Sequence, residues 1–414
     1  MKHQNLELKR WLIAGAAIIM QLCLGTVYAW SVFKRILMET HGWSETGTQA
    51  TFMIAIASIS IAAAFGGGLV DKKGPRFVAT MGGILFGIGT ILAGVADQIG
   101  SLWLLYLGYG FIAGLGNGFS YITPIAMLIR WFPDRRGLVT GLAVMGFGAG
   151  AFIMGKIAPA TILHFGVANT FYIGGVVFLI LVTLTAQFFK KPPSGWVPKN
   201  FKPPEERVSA ANSLEFKDAI RTRQWWLLWT MLFLNITAGI GLISQLSPMS
   251  QEIVKGAIEN ISAADLAVAG GTILAIASIF NGVGRFVWAW ISDFIGRKGV
   301  FSLIFITEAV LFILLPQISS YVLFAIVASY LLSCYGGSFS TMPAFAADAF
   351  GSKHIGQIYG VMLTAWGAAG IVGPLLFAWV KQSTESFETA LYISSALLFV
   401  GFVITLLYKK PKPS

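Results

Sequence analysis

The chain has 414 residues, of which 56% are hydrophobic and 11% are charged, and its formal net charge is +11. Soluble globular domains contain about 25% charged residues, so this composition excludes a protein whose surface mostly faces water. The two cysteines and four histidines have no spacing that suits a disulfide framework or a metal site, and we expect no metal and no other cofactor.

Apolar runs of about 20 residues, the length that crosses a bilayer as a helix, recur along the chain. Lipid offers no hydrogen-bond partners to the backbone, so each run must be helical. The first run exceeds the apolar core of a signal peptide, and we expect it to remain as a span. The runs fall at 11–33, 49–70, 77–96, 101–129, 137–163, 169–189, 225–249, 265–292, 299–317, 321–347, 357–381 and 387–408.

One long polar segment, 190–224, separates the first six runs from the last six. It contains eight of the 29 Lys and Arg residues and several prolines, which is typical of a surface linker between domains. The predicted fold is therefore an all-α membrane protein of twelve transmembrane helices. We expect an N-terminal six-helix bundle at 1–189 and a C-terminal six-helix bundle at 225–414.

Landmarks in the two halves recur at a nearly constant spacing. Pro124 and Pro343 are 219 residues apart, and Asp71 and Asp293, each at the end of a run, are 222 residues apart. Parallel internal repeats are a common way of building a transporter around a central site. The spacing therefore indicates two pseudo-symmetric halves of this kind.

The basic residues are distributed unevenly between the two sides of the predicted membrane. Of the 29 Lys and Arg residues, 23 are in the termini, the linker and the loops on one side, and Lys34, Arg35, Lys255 and Lys381 are on the other. Positive residues concentrate on the cytoplasmic side, so we expect cytoplasmic termini in a bacterial-type inner membrane. The net charge therefore reflects topology, and we expect no nucleic-acid partner.

Arg285 is one of two basic residues inside the predicted spans. Insertion scales assign an arginine at the centre of a span a cost of about 2.5–3.5 kcal/mol, which something must offset. No acid is three or four residues away, and Asn281 is four residues before it. A guanidinium presents a planar fork that matches a carboxylate. Arg285 therefore predicts a site for an anionic substrate, with a structural ion pair as the alternative.

Lys156 and Glu308 are two further charged residues that lie well inside their runs. Lys156 is eight residues from His164 at the outer end of its run, so its long side chain can extend to the interface or contribute a secondary anion contact. Glu308 is near the middle of the ninth run, where it can carry protons or be hydrogen-bonded to a neighbouring helix. The sequence leaves both pairs of alternatives open.

Two segments resemble the signature loops of the major facilitator superfamily. The first, Gly67–Arg76, has Asp71 and Arg76 at the matching positions between the second and third runs. The second, between the eighth and ninth runs, has Asp293 and Arg297. The resemblance implies that these loops take part in gating.

Within that superfamily the chain resembles the oxalate/formate antiporter family and the related monocarboxylate transporters. The segments that carry this likeness are 25–30, 130–137, 281–285 and 335–339. The resemblance implies that Arg285 holds the substrate carboxylate and that aromatic residues wall the pocket. The aromatic residues that it implies are Tyr28, Tyr121, Phe147, Tyr335 and Phe339. We add Asn281, Leu363 and Trp366 as further candidate substrate-binding residues.

Two positions depart from these families. The oxalate antiporters have a lysine where this chain has Trp366, so one of the two cations that hold a dianion is missing. Animal monocarboxylate transporters have an acid where this chain has Asn281, so a proton relay of that type is not expected here.

The sequence therefore predicts a secondary transporter, and not an enzyme, for a small monocarboxylate such as lactate, pyruvate or formate. We expect proton coupling, alternating access and function as a monomer. The first alternative is an oxalate/formate-type exchanger in which Lys156 replaces the missing lysine. A membrane-embedded enzyme would need clustered catalytic acids or histidines in the spans, which supply one glutamate. A sensor that binds without transporting is the third alternative.

Overall fold

The computed structural model describes residues 2–193, 195–199, 201, 213–258 and 261–411. Every regular element within these ranges is a helix. Eleven helices of the described residues are long and apolar enough to cross a membrane. The longest of them, Arg136–Ala186, is interrupted at Gly166, where φ is 81° and ψ is 170°. It therefore comprises two spans, and the predicted set of twelve transmembrane helices is confirmed.

The spans are numbered α1 to α12 in chain order. Their bounds are α1 Leu6–His41, α2 Glu45–Lys73, α3 Pro75–Gln98, α4 Leu102–Trp131, α5 136–165, α6 167–186, α7 Arg223–Ala257, α8 Ala263–Ile295, α9 Arg297–Leu314, α10 Tyr321–Phe350, α11 Ile355–Thr384 and α12 Glu388–Leu407. Between α6 and α7, the described part of the linker contains one short helix, Phe216–Ala219.

Three spans depart locally from α-helical geometry. A 3-10 turn, Thr26–Ala29, interrupts α1, and a π-helical stretch, Tyr106–Ala113, lies in α4. In α11 the helix ends at Met362 and resumes at Thr364, so Leu363 forms the break. Such interruptions often occur at functional sites. Tyr28 and Leu363, two of the predicted pocket residues, are on interruptions of this kind.

The chain divides into two compact units. The first comprises Met1–Ala219 and Phe350–Thr364, and the second comprises Ile220–Ala349 and Ala365–Pro413. The first unit thus contains α1 to α6 together with the beginning of α11. The predicted domain boundaries stay a prediction.

Close helix crossings set the positions of the predicted site residues within each unit. A Cβ atom at Gly25 of α1 would lie 1.7 Å from the carbonyl oxygen of Phe147 on α5. In the second unit, a Cβ atom at Gly336 of α10 would lie 2.3 Å from the carbonyl oxygen of Asn281 on α8. Small residues let the backbones of membrane helices approach closely. Glycine at these two crossings therefore brings α5 against α1 and α10 against α8.

The signature segments are much shorter as loops than the sequence pattern indicates. Helix α2 continues to Lys73 and α3 begins at Pro75, so Gly74, with φ of 89°, is the only residue between them. Gly296, with φ of 80°, likewise separates α8 from α9. Each turn therefore consists of a single glycine with positive φ and ψ near 160°. This conformation is essentially restricted to glycine and costs other residues about 1–3 kcal/mol.

Candidate functional site

Arg285 is the centre of a buried cluster in the second unit. Its exposed fraction is 2%, and its Nε donates a hydrogen bond to Asn281 Oδ1, one turn earlier on α8, at 3.3 Å. The guanidinium carbon is 5.4 Å from the centroid of the Phe339 ring on α10, within the range of a cation–π contact. Ser340 Oγ donates to the carbonyl oxygen of Arg285 at 2.5 Å. The amide and the aromatic face therefore contact the guanidinium group, and Ser340 holds the backbone of the same residue.

Two more aromatic side chains extend the cluster. The Trp366 ring of α11 is 6.3 Å from the Phe339 ring, with an edge-to-face orientation. Tyr335, one turn before Phe339, packs against Gly239 of α7, where a Cβ atom would lie 2.4 Å from the tyrosine ring. All three aromatic residues are buried. We call Arg285, Asn281, Tyr335, Phe339 and Trp366 the arginine cluster, and it draws residues from α8, α10 and α11.

The first unit contains an aromatic cluster of its own. The Phe147 ring of α5 is 5.4 Å from the Tyr28 ring on α1 and 5.3 Å from the Tyr121 ring on α4, and both contacts are edge-to-face. Phe52 of α2 is 6.4 Å from Tyr28. Edge-to-face pairs at this separation contribute about 0.5–1.5 kcal/mol beyond their buried area. The structure therefore brings Tyr28, Tyr121 and Phe147 together.

Buried amides fix the segment of α1 that carries Tyr28. Asn117 Nδ2 of α4 donates to the carbonyl oxygen of Leu24 at 2.8 Å, directly before the 3-10 turn. Gln21 Nε2 donates to the carbonyl oxygen of Tyr121 at 3.4 Å. Sequence reasoning missed both amides and also Phe52. In the sequence, the two amides appear only as neutral polar residues within apolar runs. Such a residue can bond to a backbone group as well as contribute to a site, so the sequence did not single them out.

Glu308 is buried in the second unit, with an exposed fraction of 1%. Asn235 Nδ2 of α7 donates a hydrogen bond to Glu308 Oε2 at 2.6 Å, so the carboxyl group joins α9 to α7. The structure supplies a helix-joining contact for this residue, and its part in proton movement stays a prediction.

Lys156 belongs to neither cluster in the described structure. Its side chain is exposed, as are those of Phe152, Ile153 and Ile157 around it on α5. It makes no ion pair or hydrogen bond with another described residue. Leu363 of α11 is buried at the break in that helix. Its predicted contact with substrate stays a prediction.

The signature residues form two different ion-pair arrangements. Asp71 pairs with Arg130 at the end of α4, and the backbone N–H of Gln357 donates to its second carboxylate oxygen at 3.2 Å. Asp293 instead pairs with Arg297, four residues later, at 2.6 Å, and Arg297 also contacts Asp348 of α10 at 3.0 Å.

The basic residue two positions after each signature glycine binds a helix end in its own half. Arg76 Nη2 donates to the carbonyl oxygen of Gln187, just beyond α6, at 2.6 Å. Lys298 Nζ donates to the carbonyl oxygens of Leu406 and Tyr408, at the end of α12, at 2.8 and 3.1 Å. The two halves therefore share this contact as well as their sequence landmarks.

Three comparisons with known proteins bear on this arrangement. The oxalate:formate antiporter of Oxalobacter formigenes is 27% identical over 95% of this chain and 90% of its own length. Monocarboxylate transporter 14 of Mus musculus is 23% identical over 93% of this chain and 87% of its own length. The crystal structure of the Escherichia coli fucose:proton symporter superposes with a TM-score of 0.74 at 16% identity, covering 98% of this chain and all of that one, which shows a shared fold.

The sequence profile of the Major Facilitator Superfamily matches residues 13–259 and 240–414, which together cover nearly the whole chain. The fold of twelve spans, the two single-glycine signature turns and their ion pairs agree with this match. The chain is therefore an integral membrane transporter that belongs to the Major Facilitator Superfamily.

Proposed function

We propose that this transporter carries a small monocarboxylate, such as lactate, pyruvate or formate, and that Arg285 binds the carboxylate. The buried position of the Arg285 guanidinium between an amide oxygen and an aromatic face carries the proposal. A cation within a membrane span marks a substrate or ion pathway more often than a structural contact. The names of two relatives, an oxalate:formate antiporter and a monocarboxylate transporter, support a carboxylate as the substrate.

The neighbours of Arg285 favour a substrate with one negative charge. Phe339 and Trp366 are the aromatic members of the cluster in contact with each other, and neither can neutralise a second carboxylate. A buried charge without a partner has a desolvation penalty of several kcal/mol. Lys156, the candidate for a second cation, has an exposed side chain on α5. The proposed substrate is therefore a monoanion.

We further propose that a proton accompanies the substrate. An anion that enters against a negative-inside potential works against about 2.3 kcal/mol per 100 mV, and a co-transported proton removes that term. The proton is carried either by Glu308 or by the substrate acid itself. The Asn235 amide that donates to Glu308 gives this carboxyl group a structural role as well, so the two routes need a direct test.

Uptake into proteoliposomes tests the role of Arg285. Lysine keeps the charge and loses the planar fork, whereas glutamine loses both. We expect Arg285→Lys to impair carboxylate uptake and Arg285→Gln to abolish it, with Arg221→Gln in the described part of the linker as a matched loss of one arginine. A counterflow screen of about a dozen carboxylates would identify the substrate. Wild-type uptake by a folded Arg285→Gln protein would exclude Arg285 as the anchor.

Exchange of one carboxylate for another is the second candidate function. The similarity to an oxalate:formate antiporter along nearly the full length of both chains favours it. Exchange predicts uptake that depends on carboxylate inside the vesicle and is indifferent to a pH gradient. Symport predicts the opposite dependence, so one set of vesicles with imposed gradients separates the two mechanisms.

The proposed location is a bacterial-type inner membrane with both termini in the cytoplasm and a functional monomer. The excess of basic residues in the termini, the linker and the loops of the same side supports this orientation.

A further inference from the structure

A cavity of about 700 Å³ in the first unit lies beside the Asp71–Arg130 ion pair. The end of α2, the end of α4, the linker and the turn before α11 form its wall. Two carboxylates, those of Asp71 and Glu215, also line it. The basic residues that line the cavity are Lys72, Arg130, Lys191, Lys217, Lys353 and His354.

The charge of Asp71 is already compensated by Arg130. Arg130 pairs with one carboxylate oxygen, and the Gln357 N–H donates to the other at 3.2 Å. Arg130 also donates from Nε to the carbonyl oxygen of Ser352 at 2.8 Å and from Nη2 to that of Lys353 at 2.5 Å. Asp71 therefore contributes little negative charge toward the lysines around the cavity.

Lys191 is held beside the Asp71–Arg130 ion pair. Its Nζ donates to the backbone carbonyl oxygen of Asp71 at 2.7 Å. Burial lowers the pKa of this ammonium group, the neighbouring Arg130 lowers it further, and Asp71 only partly opposes the change. None of the ion pairs among the described residues involves Lys72, Lys217 or Lys353. A negatively charged ligand would therefore meet several ammonium groups that form no ion pair with a described carboxylate.

We propose that this cavity binds a phosphate-bearing anion, which joins the end of α2 to the turn before α11. A phosphate group offers several acceptor oxygens and at least one negative charge, which suits ammonium groups that come from separate segments. Lys72 is in the last turn of α2, and Lys353 is on the turn before α11. Arg130 already connects these two segments, since it pairs with Asp71 of α2 and donates to the carbonyl oxygens of Ser352 and Lys353.

The size and the remaining wall of the cavity fit a small organic anion. Ligand pockets usually measure about 300–1,000 Å³, and this cavity is within that range. Phe216 and Pro192 supply an apolar surface beside the cations. The phosphate can belong to a free metabolite or to the headgroup of an anionic lipid, and the experiment separates these two sources.

Calorimetric titration of the full-length protein in neutral detergent with pyrophosphate tests the site. One variant carries Lys72→Gln and Lys353→Gln, and the control carries Lys409→Gln and Lys410→Gln, which remove the same charge after α12 and outside the cavity. We expect saturable binding to the wild type and the control, weakened at least about tenfold in the cavity variant. Equal weakening in both variants would mean that the basic side attracts anions diffusely, and the proposal would be wrong.

Hydrogen exchange at residues 352–357 provides the second measurement. Occupancy should slow amide exchange in this segment, and the cavity variant should lose that protection. A free anion is the source if pyrophosphate protects the segment in lipid-free detergent. A lipid headgroup is the source if only nanodiscs containing phosphatidylglycerol, compared with phosphatidylcholine alone, protect it. Absence of protection under both conditions overturns the proposal.

Discussion

A side chain at Gly25, where α1 crosses α5, would collide with the backbone of α5. A methyl group at Gly25 would lie 1.7 Å from the carbonyl oxygen of Phe147, whereas ordinary contact begins at 3.4 Å. The two backbones must therefore separate by about 1.7 Å, the difference between these two distances. Phe147 is the ring that contacts Tyr28 at 5.4 Å, so the separation would disturb the aromatic cluster directly.

Gly15 of the same helix is the matched control. A Cβ atom there has no neighbour within 4 Å. Replacing a glycine in the middle of a helix with alanine contributes about 0.5–1 kcal/mol through helix propensity. This gain applies in full at Gly15, whereas Gly25 is the last α-helical residue before the 3-10 turn. Overpacking at Gly25 should add about 1–3 kcal/mol of destabilisation. We therefore expect Gly15→Ala to keep or raise the melting temperature and Gly25→Ala to lower it.

Thermal unfolding in detergent and the KM for carboxylate uptake are the two measurements. If the aromatic cluster contacts substrate, Gly25→Ala should raise KM at a temperature where the protein remains folded, and Gly15→Ala should not. If the two variants had the same melting temperature and the same KM, the close crossing would not determine either stability or binding.

Three further predictions concern valence, coupling and orientation. Trp366→Lys adds a cation next to Phe339 and should strengthen the inhibition of monocarboxylate uptake by oxalate about tenfold. The control, Trp379→Lys on the exposed face of the same helix, should not change this inhibition. Strong oxalate inhibition in the wild type that is lost in Lys156→Gln would contradict the monoanion proposal. The rate of carboxylate uptake should rise as the external pH falls, and Glu308→Gln should remove this pH dependence only if Glu308 carries the proton. Wild-type uptake that does not depend on pH would favour exchange. For orientation, Ala257 and Lys199, both exposed, are each replaced by cysteine in a background without Cys23 and Cys334. An impermeant maleimide applied to intact cells should label the cysteine at 257 and leave the cysteine at 199 unlabelled. The reverse pattern would invert the proposed topology.

The spans could be predicted from sequence because bilayer thickness imposes a long apolar run on each of them. Their ends were less accurate, since a helix does not stop where the apolar run stops. Helix α1 continues to His41, eight residues beyond the predicted end, through a polar segment that includes Lys34 and Arg35. The apolar run shows which part of a helix contacts lipid, whereas the full length of the helix depends on its backbone hydrogen bonds.

Arg285 could be identified as a candidate from sequence because an arginine near the centre of a span has a high free-energy cost of insertion. Its surroundings could not be derived in the same way. Phe339 and Trp366 are more than 50 residues away in sequence, and their contacts depend on how closely α10 approaches α8. The resemblance to a known family directed attention to these two positions. The sequence pattern alone does not distinguish them from the many aromatic residues in membrane helices that only pack.

The contacts of Arg76 and Lys298 show a symmetry that residue spacing does not reveal. Each follows a signature glycine, and each donates to carbonyl groups at the end of the last helix in its half. The final carbonyls of a helix have no partners within it, and they carry partial negative charge. A cation placed there stabilises the end of the helix and also fixes the turn that carries the cation. The two halves use different residues, Arg and Lys, because the carbonyls require only a donor with positive charge. The repeat is therefore preserved in the physical role of these positions even where the residue types differ.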